Sequence, residues 1–80
     1  AVEVEDNFAA KLRNGTQPSV EMMKGYVLPF LAAGDMIKFI SREGNLVALA
    51  EMVMPVDKFP EFNSKDSAAK IVRVFNNIYN

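Results

Sequence analysis

Cysteine and histidine are both absent from the 80 residues. Their absence excludes a disulfide framework, a cysteine nucleophile and histidine-based acid–base catalysis. It also excludes structural zinc, because such sites are built mainly from these two residue types. The lack of cysteine fits a reducing compartment, and we expect a cytoplasmic location. We expect no catalytic residue, no metal and no cofactor in this chain.

Long apolar runs are also absent. The longest, residues 26–33, contains Pro29 and falls far short of the roughly 20 apolar residues that cross a bilayer. No basic segment precedes an apolar one at the N-terminus, so we expect no secretory signal. We therefore predict no membrane contact and one domain, residues 1–80, that is a monomer.

Charge gives little guidance, because the net charge is −1. Glu3, Glu5 and Asp6 supply three of the ten acids, which leaves seven acids against nine Lys and Arg in the rest of the chain. This bias is weak, and an ordinary solvated surface accounts for it. Glu3 and Glu5 are interpreted as a solvated strand edge and not as an acid–base pair.

The first 15 residues predict a strand followed by a helix. Val2 and Val4 alternate with acids, as in a short, half-exposed strand. Asp6 or Asn7 is the expected N-cap. The apolar face of the helix consists of Phe8, Ala9 and Leu12. Gly15 is placed to end the helix in the left-handed conformation.

A β-hairpin is the clearest local signal. Residues 36–40 and 46–53 are two apolar strands, and residues 41–45 form a turn in which Gly44 is expected to take a positive φ. Before the hairpin, residues 20–30 predict a short helical turn and an irregular connection. The small residues Ala48 and Ala50 would let another element approach closely.

The last third of the chain predicts a loop and a final strand. Residues 55–66 are polar and contain two prolines, and a short helix is expected after Ser64. Residues 68–75 form the strand, and residues 76–80 are a polar tail. In this strand Val72 and Val74 are expected to share one face, and Lys70 or Arg73 is expected to reach outward. The two terminal strands could pair with each other or with the hairpin.

Most aromatic side chains are interpreted as core and not as base-stacking groups, because they do not alternate with basic residues. Phe8, Phe39 and Phe75 are the expected core members. Phe59 and Phe62 could cover the barrel or face another domain. The five methionines are interpreted as adaptable core fillers.

Three segments in this order resemble the PUA domain, and in particular the C-terminal domain of TruB-type tRNA pseudouridine synthases. The first is L-R-N-G-T-Q at residues 12–17, which is similar to the family's helix and "NG" glycine loop. The second is the hairpin at residues 34–51. The third is I-V-R-V-F-N at residues 71–76, which resembles the "RVF" ending of many TruB chains.

The resemblance implies a fold that is α+β and mostly β, a PUA-like small mixed pseudo-barrel with one or two short helices. It implies RNA as the ligand, in the T-arm or acceptor-stem region of tRNA. It also implies a parent isomerase whose N-terminal catalytic domain, absent here, converts a T-loop uridine to pseudouridine with one aspartate. None of this chain's aspartates lies in such a motif: Asp6, Asp35, Asp57 and Asp66.

The candidate RNA-binding residues are Lys11, Arg13, Asn14, Gly15, Thr16, Gln17, Lys70 and Arg73. The first six place two cations and several polar groups around a glycine turn, where a phosphate could approach. In PUA domains the last strand lies beside this loop, so its cations could extend the patch. Two other interpretations stay open: dipole-matched cations with a routine glycine cap, and strand-edge charges that discourage aggregation.

One departure from the family pattern weakens the expected RNA site. Many PUA domains carry a second glycine in the loop that follows the "NG" glycine, and residues 16–20 have none. The alternative function is an interaction domain that packs on a partner domain with little RNA contact. An uncharged apolar cluster motivates it: Val27, Leu28, Phe30 and Leu31.

Overall fold

A computed structural model describes residues 1–75; the predicted polar tail, residues 76–80, lies outside the described residues. The elements in chain order are β1 (Val2–Glu3), α1 (Asp6–Arg13), α2 (Val20–Lys24), β2 (Met36–Ile40), β3 (Leu46–Met52), a 3₁₀ helix (Val56–Glu61) and β4 (Ala69–Val74).

Four strands form one mixed sheet in the order β1-β2-β3-β4. β1 runs parallel to β2, and the other two pairs are antiparallel. Both terminal strands therefore pair with the hairpin, and within residues 1–75 they do not pair with each other. The predicted fold class, a small mixed pseudo-barrel with short helices, is confirmed.

Helix α1 begins at Asp6, one residue earlier than an N-cap at Asp6 would allow and two earlier than an N-cap at Asn7 would allow. Glu5 is the last extended residue, at ψ 160°, and no side chain caps the helix. The reason is the preceding pairing, because the Val4 amide donates to the Ile40 carbonyl and keeps the chain extended up to that point. The predicted cap was therefore wrong, while the predicted buried face, Phe8, Ala9 and Leu12, is confirmed.

The hairpin follows the prediction closely. Its strands are β2 and β3, with β3 ending one residue earlier than expected, at Met52. Gly44 takes φ +88°, as predicted. The turn is fixed by Ser41, whose buried hydroxyl accepts from the Asn45 amide at 3.1 Å.

The predicted helix after Ser64 was wrong, because the helical turns lie earlier, at Val56–Glu61. Residues 63–66 form a side-chain-stabilised turn instead. The Asn63 amide donates to Asp66 Oδ2 at 3.0 Å, and Asn63 Oδ1 accepts from the Lys65 amide at 2.9 Å. Such local bonds compete with helix formation. Phe59 lies in the 3₁₀ helix and is buried. Of the two positions predicted for it, it therefore takes the one in the core.

Strand β4 contains a β-bulge that could not be predicted from its sequence. Ile71 pairs with Ala50 and Arg73 pairs with Leu49, so Val72 is the extra residue and is 55% exposed. The prediction that Val72 shares an inward face with Val74 was wrong. A bulge breaks the two-residue alternation of a strand, and the alternation was the basis of that prediction.

The core lies between one face of the sheet and the helices. We call this the inner face; it carries the buried residues Ile37, Phe39, Ala48, Ala50 and Ala69. Helix α1 packs on it, with the Phe8 ring centroid 5.4 Å from that of Phe39. Phe75 is only half-buried, so the core prediction holds for two of its three aromatic residues. Of the methionines, Met36 is exposed and therefore fills no core space.

Candidate functional site

The C-terminal end of α1 closes in a Schellman-type cap, as its glycine predicted. Gly15 takes φ +86°. Its amide donates to the Leu12 carbonyl at 3.0 Å, and the Thr16 amide donates to the Lys11 carbonyl at 2.9 Å. The Asn14 amide also bonds within the helix. These three backbone donors are therefore occupied, and contact with a phosphate depends on side chains.

Side-chain charge is needed here for a second reason. The C-terminal end of a helix carries partial negative charge, which disfavours an anion. Lys11 and Arg13 lie in the last turn and are exposed. They oppose the dipole and turn this end of α1 into a surface that an anion can approach.

The loop after α1 is fixed to the free edge of β4. Gln17 Oε1 accepts from the Ile71 amide at 2.7 Å. The Pro18 carbonyl accepts from the Ala68 amide at 2.8 Å, and Ser19 forms an isolated bridge with Ser67. The predicted neighbourhood of the glycine loop and the last strand is therefore confirmed. The Gln17 carbonyl oxygen, however, already serves the fold.

The four candidate cations do not lie on one flat face. Lys11 and Arg13 belong to α1, which covers the inner face. Lys70 and Arg73 are exposed on β4 and pair with Glu51 and Leu49. Because Ala69 and Ile71 pack inward, these two cations point to the opposite side, which we call the outer face. The two cation pairs thus flank the edge that residues 17–19 cover.

Arg73 is held in place by its neighbour Phe75. Its guanidinium carbon lies 5.1 Å from the centre of the Phe75 ring, within cation–π range. The half-buried ring limits the rotamers of an otherwise free side chain. Arg73 therefore loses less conformational entropy when it contacts a ligand than an unsupported arginine does.

Two kinds of group often found in catalytic and metal sites are missing from this surface. The sequence has no histidine or cysteine, and residues 1–75 hold no group of three or more potential metal ligands. No helix among the described residues is long and apolar enough to cross a membrane. What the arrangement offers is exposed cations and side-chain donors around a fixed loop.

The fold is found in solved proteins. Over 96% of its length the chain superimposes on half of a conserved PUA domain protein from Thermoplasma acidophilum, with a TM-score of 0.66 and 19% sequence identity. The chain has the PUA fold. Over 94% of its length, the chain also superimposes on a chain of the archaeal box H/ACA sRNP Nop10–Cbf5 complex, with a TM-score of 0.69 and 22% sequence identity. There it matches 24% of the solved chain.

The sequence is related to one curated enzyme. It is 35% identical over 75 residues, 94% of this chain, to tRNA pseudouridine synthase B of Syntrophus aciditrophicus (strain SB). The PUA-fold chain spans about a quarter of that protein, 24% of its length. No protein-family model matches the chain. The resemblance to the PUA domain of TruB-type synthases is thereby confirmed.

Proposed function

We propose that this chain is the RNA-binding accessory domain of a cytoplasmic tRNA pseudouridine synthase. The proposal is supported by its 35% identity to tRNA pseudouridine synthase B, of which it spans 24%. Residues 1–80 would form the PUA domain, and the rest of the parent enzyme would supply the isomerase chemistry. The ligand is tRNA, contacted near the T-arm and acceptor stem. The chain itself contributes no catalytic residue.

One observation carries the RNA-binding part of the proposal. Exposed cations lie on both sides of a loop that hydrogen bonds fix to the edge of β4. Phosphate contacts provide most of the affinity of proteins for nucleic acids, and they require exposed cations or donors. Lys11 and Arg13 occupy the helix side of the loop, and Lys70 and Arg73 occupy the strand side.

The test is reversal of the two helix cations. The variant Lys11→Glu with Arg13→Glu should bind an unmodified tRNA transcript more weakly. Its plot of log affinity against log salt should flatten by about 1.4 to 1.8, because each lost phosphate contact removes about 0.7 to 0.9 from the slope. Both measurements come from a gel-shift titration at several salt concentrations.

The matched control is Lys24→Glu with Lys65→Glu. It makes the same change in net charge at two exposed cations near α2 and its neighbouring turn. Its affinity should stay close to that of the unaltered chain. No binding of tRNA by the unaltered chain even at low salt would contradict the proposal.

An interaction domain is the second candidate, and an apolar loop favours it. Val27 is fully exposed and Phe30 is 77% exposed, and no charged residue lies between Lys24 and Asp35. The loop is anchored, because the Val56 amide donates to the Leu31 carbonyl at 3.0 Å. Exposed apolar side chains on a fixed loop suit packing against the parent's catalytic domain. If Lys11→Glu with Arg13→Glu leaves tRNA affinity unchanged, this second function is favoured.

A further inference from the structure

The bulge in β4 creates a second basic surface on the outer face. In a regular strand, residues 70 and 73 would point to opposite sides, because side chains alternate. Here Val72 is the extra residue, so Lys70 pairs with Glu51 and Arg73 pairs with Leu49, two residues apart on β3. Lys70 and Arg73 therefore share one side of the sheet.

Strand β2 adds a third cation to this surface. Lys38 is exposed and pairs with Leu49, which pairs in turn with Arg73. Lys38 and Arg73 thus flank Leu49 in one row across three strands. Neighbouring strands are about 4.8 Å apart, so the backbones of these two residues are separated by about 10 Å. In the sequence alone, Lys38 is indistinguishable from an ordinary solvated charge of a hairpin.

The parallel row next to it is less basic. It runs from Met36 through Glu51 to Lys70. Glu51 is exposed and lies directly opposite Lys70, so it offsets part of that charge. Of these two rows, the row of Lys38 and Arg73 is therefore the more positive, and Arg73 is already positioned on the Phe75 ring.

We infer that the outer face, through Lys38, Arg73 and Lys70, is a second contact surface for the RNA phosphate backbone, and that the bulge at Val72 contributes to it by bringing Lys70 and Arg73 to one side of the sheet. The inference rests on the proposed function and extends it. The strand cations continue around the edge of β4 to the cations of α1, so one RNA strand can contact both sides. Lys38 becomes a binding residue under this inference.

The loss-of-function test is Lys38→Glu with Arg73→Glu, measured by gel shift with an unmodified tRNA transcript. Each phosphate contact gives the plot of log affinity against log salt a slope of about −0.7 to −0.9. Each contact therefore raises the affinity at ~50 mM salt about tenfold over its value at ~1 M salt. The double variant should therefore lose roughly a hundredfold in affinity at ~50 mM salt. The control is again Lys24→Glu with Lys65→Glu, and circular dichroism checks that all variants are folded.

The gain-of-function test is Glu51→Gln, which removes the acid opposite Lys70 in the second row and keeps the shape of the side chain. It should raise tRNA affinity several-fold at low salt and leave the affinity at high salt unchanged. A misfolded protein cannot produce that increase. Unchanged binding by Glu51→Gln, or by Lys38→Glu with Arg73→Glu, overturns the inference.

The experiment distinguishes failure of the outer face as a contact surface from failure of the proposed function. If the unaltered chain binds tRNA and only the Lys11 and Arg13 reversal weakens it, the proposed function stands and the outer face is not a contact surface. If the unaltered chain does not bind tRNA at low salt, the proposed function fails and the inference fails with it.

Discussion

Gln17 shows how one side chain can connect a loop to a strand. The residue is exposed, yet its carbonyl oxygen accepts from the Ile71 amide across 54 positions of sequence. That amide points to the free edge of β4, where it would otherwise bond to water. The sequence suggested a polar residue available to a phosphate. The structure assigns its acceptor to the fold, and only its amide nitrogen is left to donate.

Replacement of Gln17 by Met should loosen the loop without unfolding the protein. The lost bond costs about 0.5 to 1.5 kcal/mol, and the exposed Ile71 amide can bond to water in compensation. Hydrogen exchange should therefore accelerate at Ile71 and stay unchanged at Val4, whose amide bonds to Ile40. Gln17→Glu retains an acceptor and should keep Ile71 protected. Equal protection of Ile71 in both variants would contradict this assignment.

The end of α1 depends on the backbone conformation of Gly15. At φ +86° a side chain is strained, although nothing lies within 4 Å of the position that a Cβ would occupy. Gly25 ends α2 with φ −75°, a conformation open to any residue, and its Cβ position is equally free. An added Cβ meets no neighbour at either glycine, and only Gly15 has a positive φ. A difference in stability between alanine variants at the two positions therefore reports backbone strain and not a steric clash.

Gly15→Ala should lower the free energy of unfolding by about 1 to 2 kcal/mol, because the left-handed conformation costs an L-residue that much. Gly25→Ala is the matched control and should be neutral or stabilising by about 0.4 to 1 kcal/mol, since alanine restricts the unfolded chain. Urea unfolding followed by circular dichroism measures both. Equal destabilisation by the two changes would rule out strain at Gly15 as the cause.

Structural features that depend on a single residue and its neighbours in sequence could be predicted. Features that depend on how two strands align could not. The glycine stop at Gly15 and the turn at Gly44 follow from the conformational freedom of glycine, so both were placed correctly. The bulge at Val72 depends on how β3 and β4 align, and nothing in residues 69–74 alone reveals it. For the same reason the sequence leaves open whether Lys70 or Arg73 reaches outward, and it does not show that both share a face with Lys38.

At the scale of the whole molecule, the surface divides into two regions of different chemistry. The edge of β4 and the outer face carry the exposed cations Lys38, Lys70 and Arg73. The loop at residues 25–34 carries no charge and exposes Val27 and Phe30, while Leu28 and Leu31 pack partly against the core. Such a division suits a domain that contacts a charged ligand with one surface and a protein with another.

Replacement of Val27 and Phe30 by Ser should separate these two roles. Both side chains are exposed, so the free energy of unfolding of the isolated chain should change by no more than about 0.5 kcal/mol. Leu12→Ala, a fully buried control, should cost about 2 to 5 kcal/mol. The tRNA affinity of the double variant should stay unchanged, because no cation is altered.

In the proposed full-length parent enzyme, the same double change should uncouple the thermal unfolding of this domain from that of the catalytic domain. Calorimetry would then show two transitions in place of one. A coupled transition that survives the change would show that this loop does not dock on the catalytic domain.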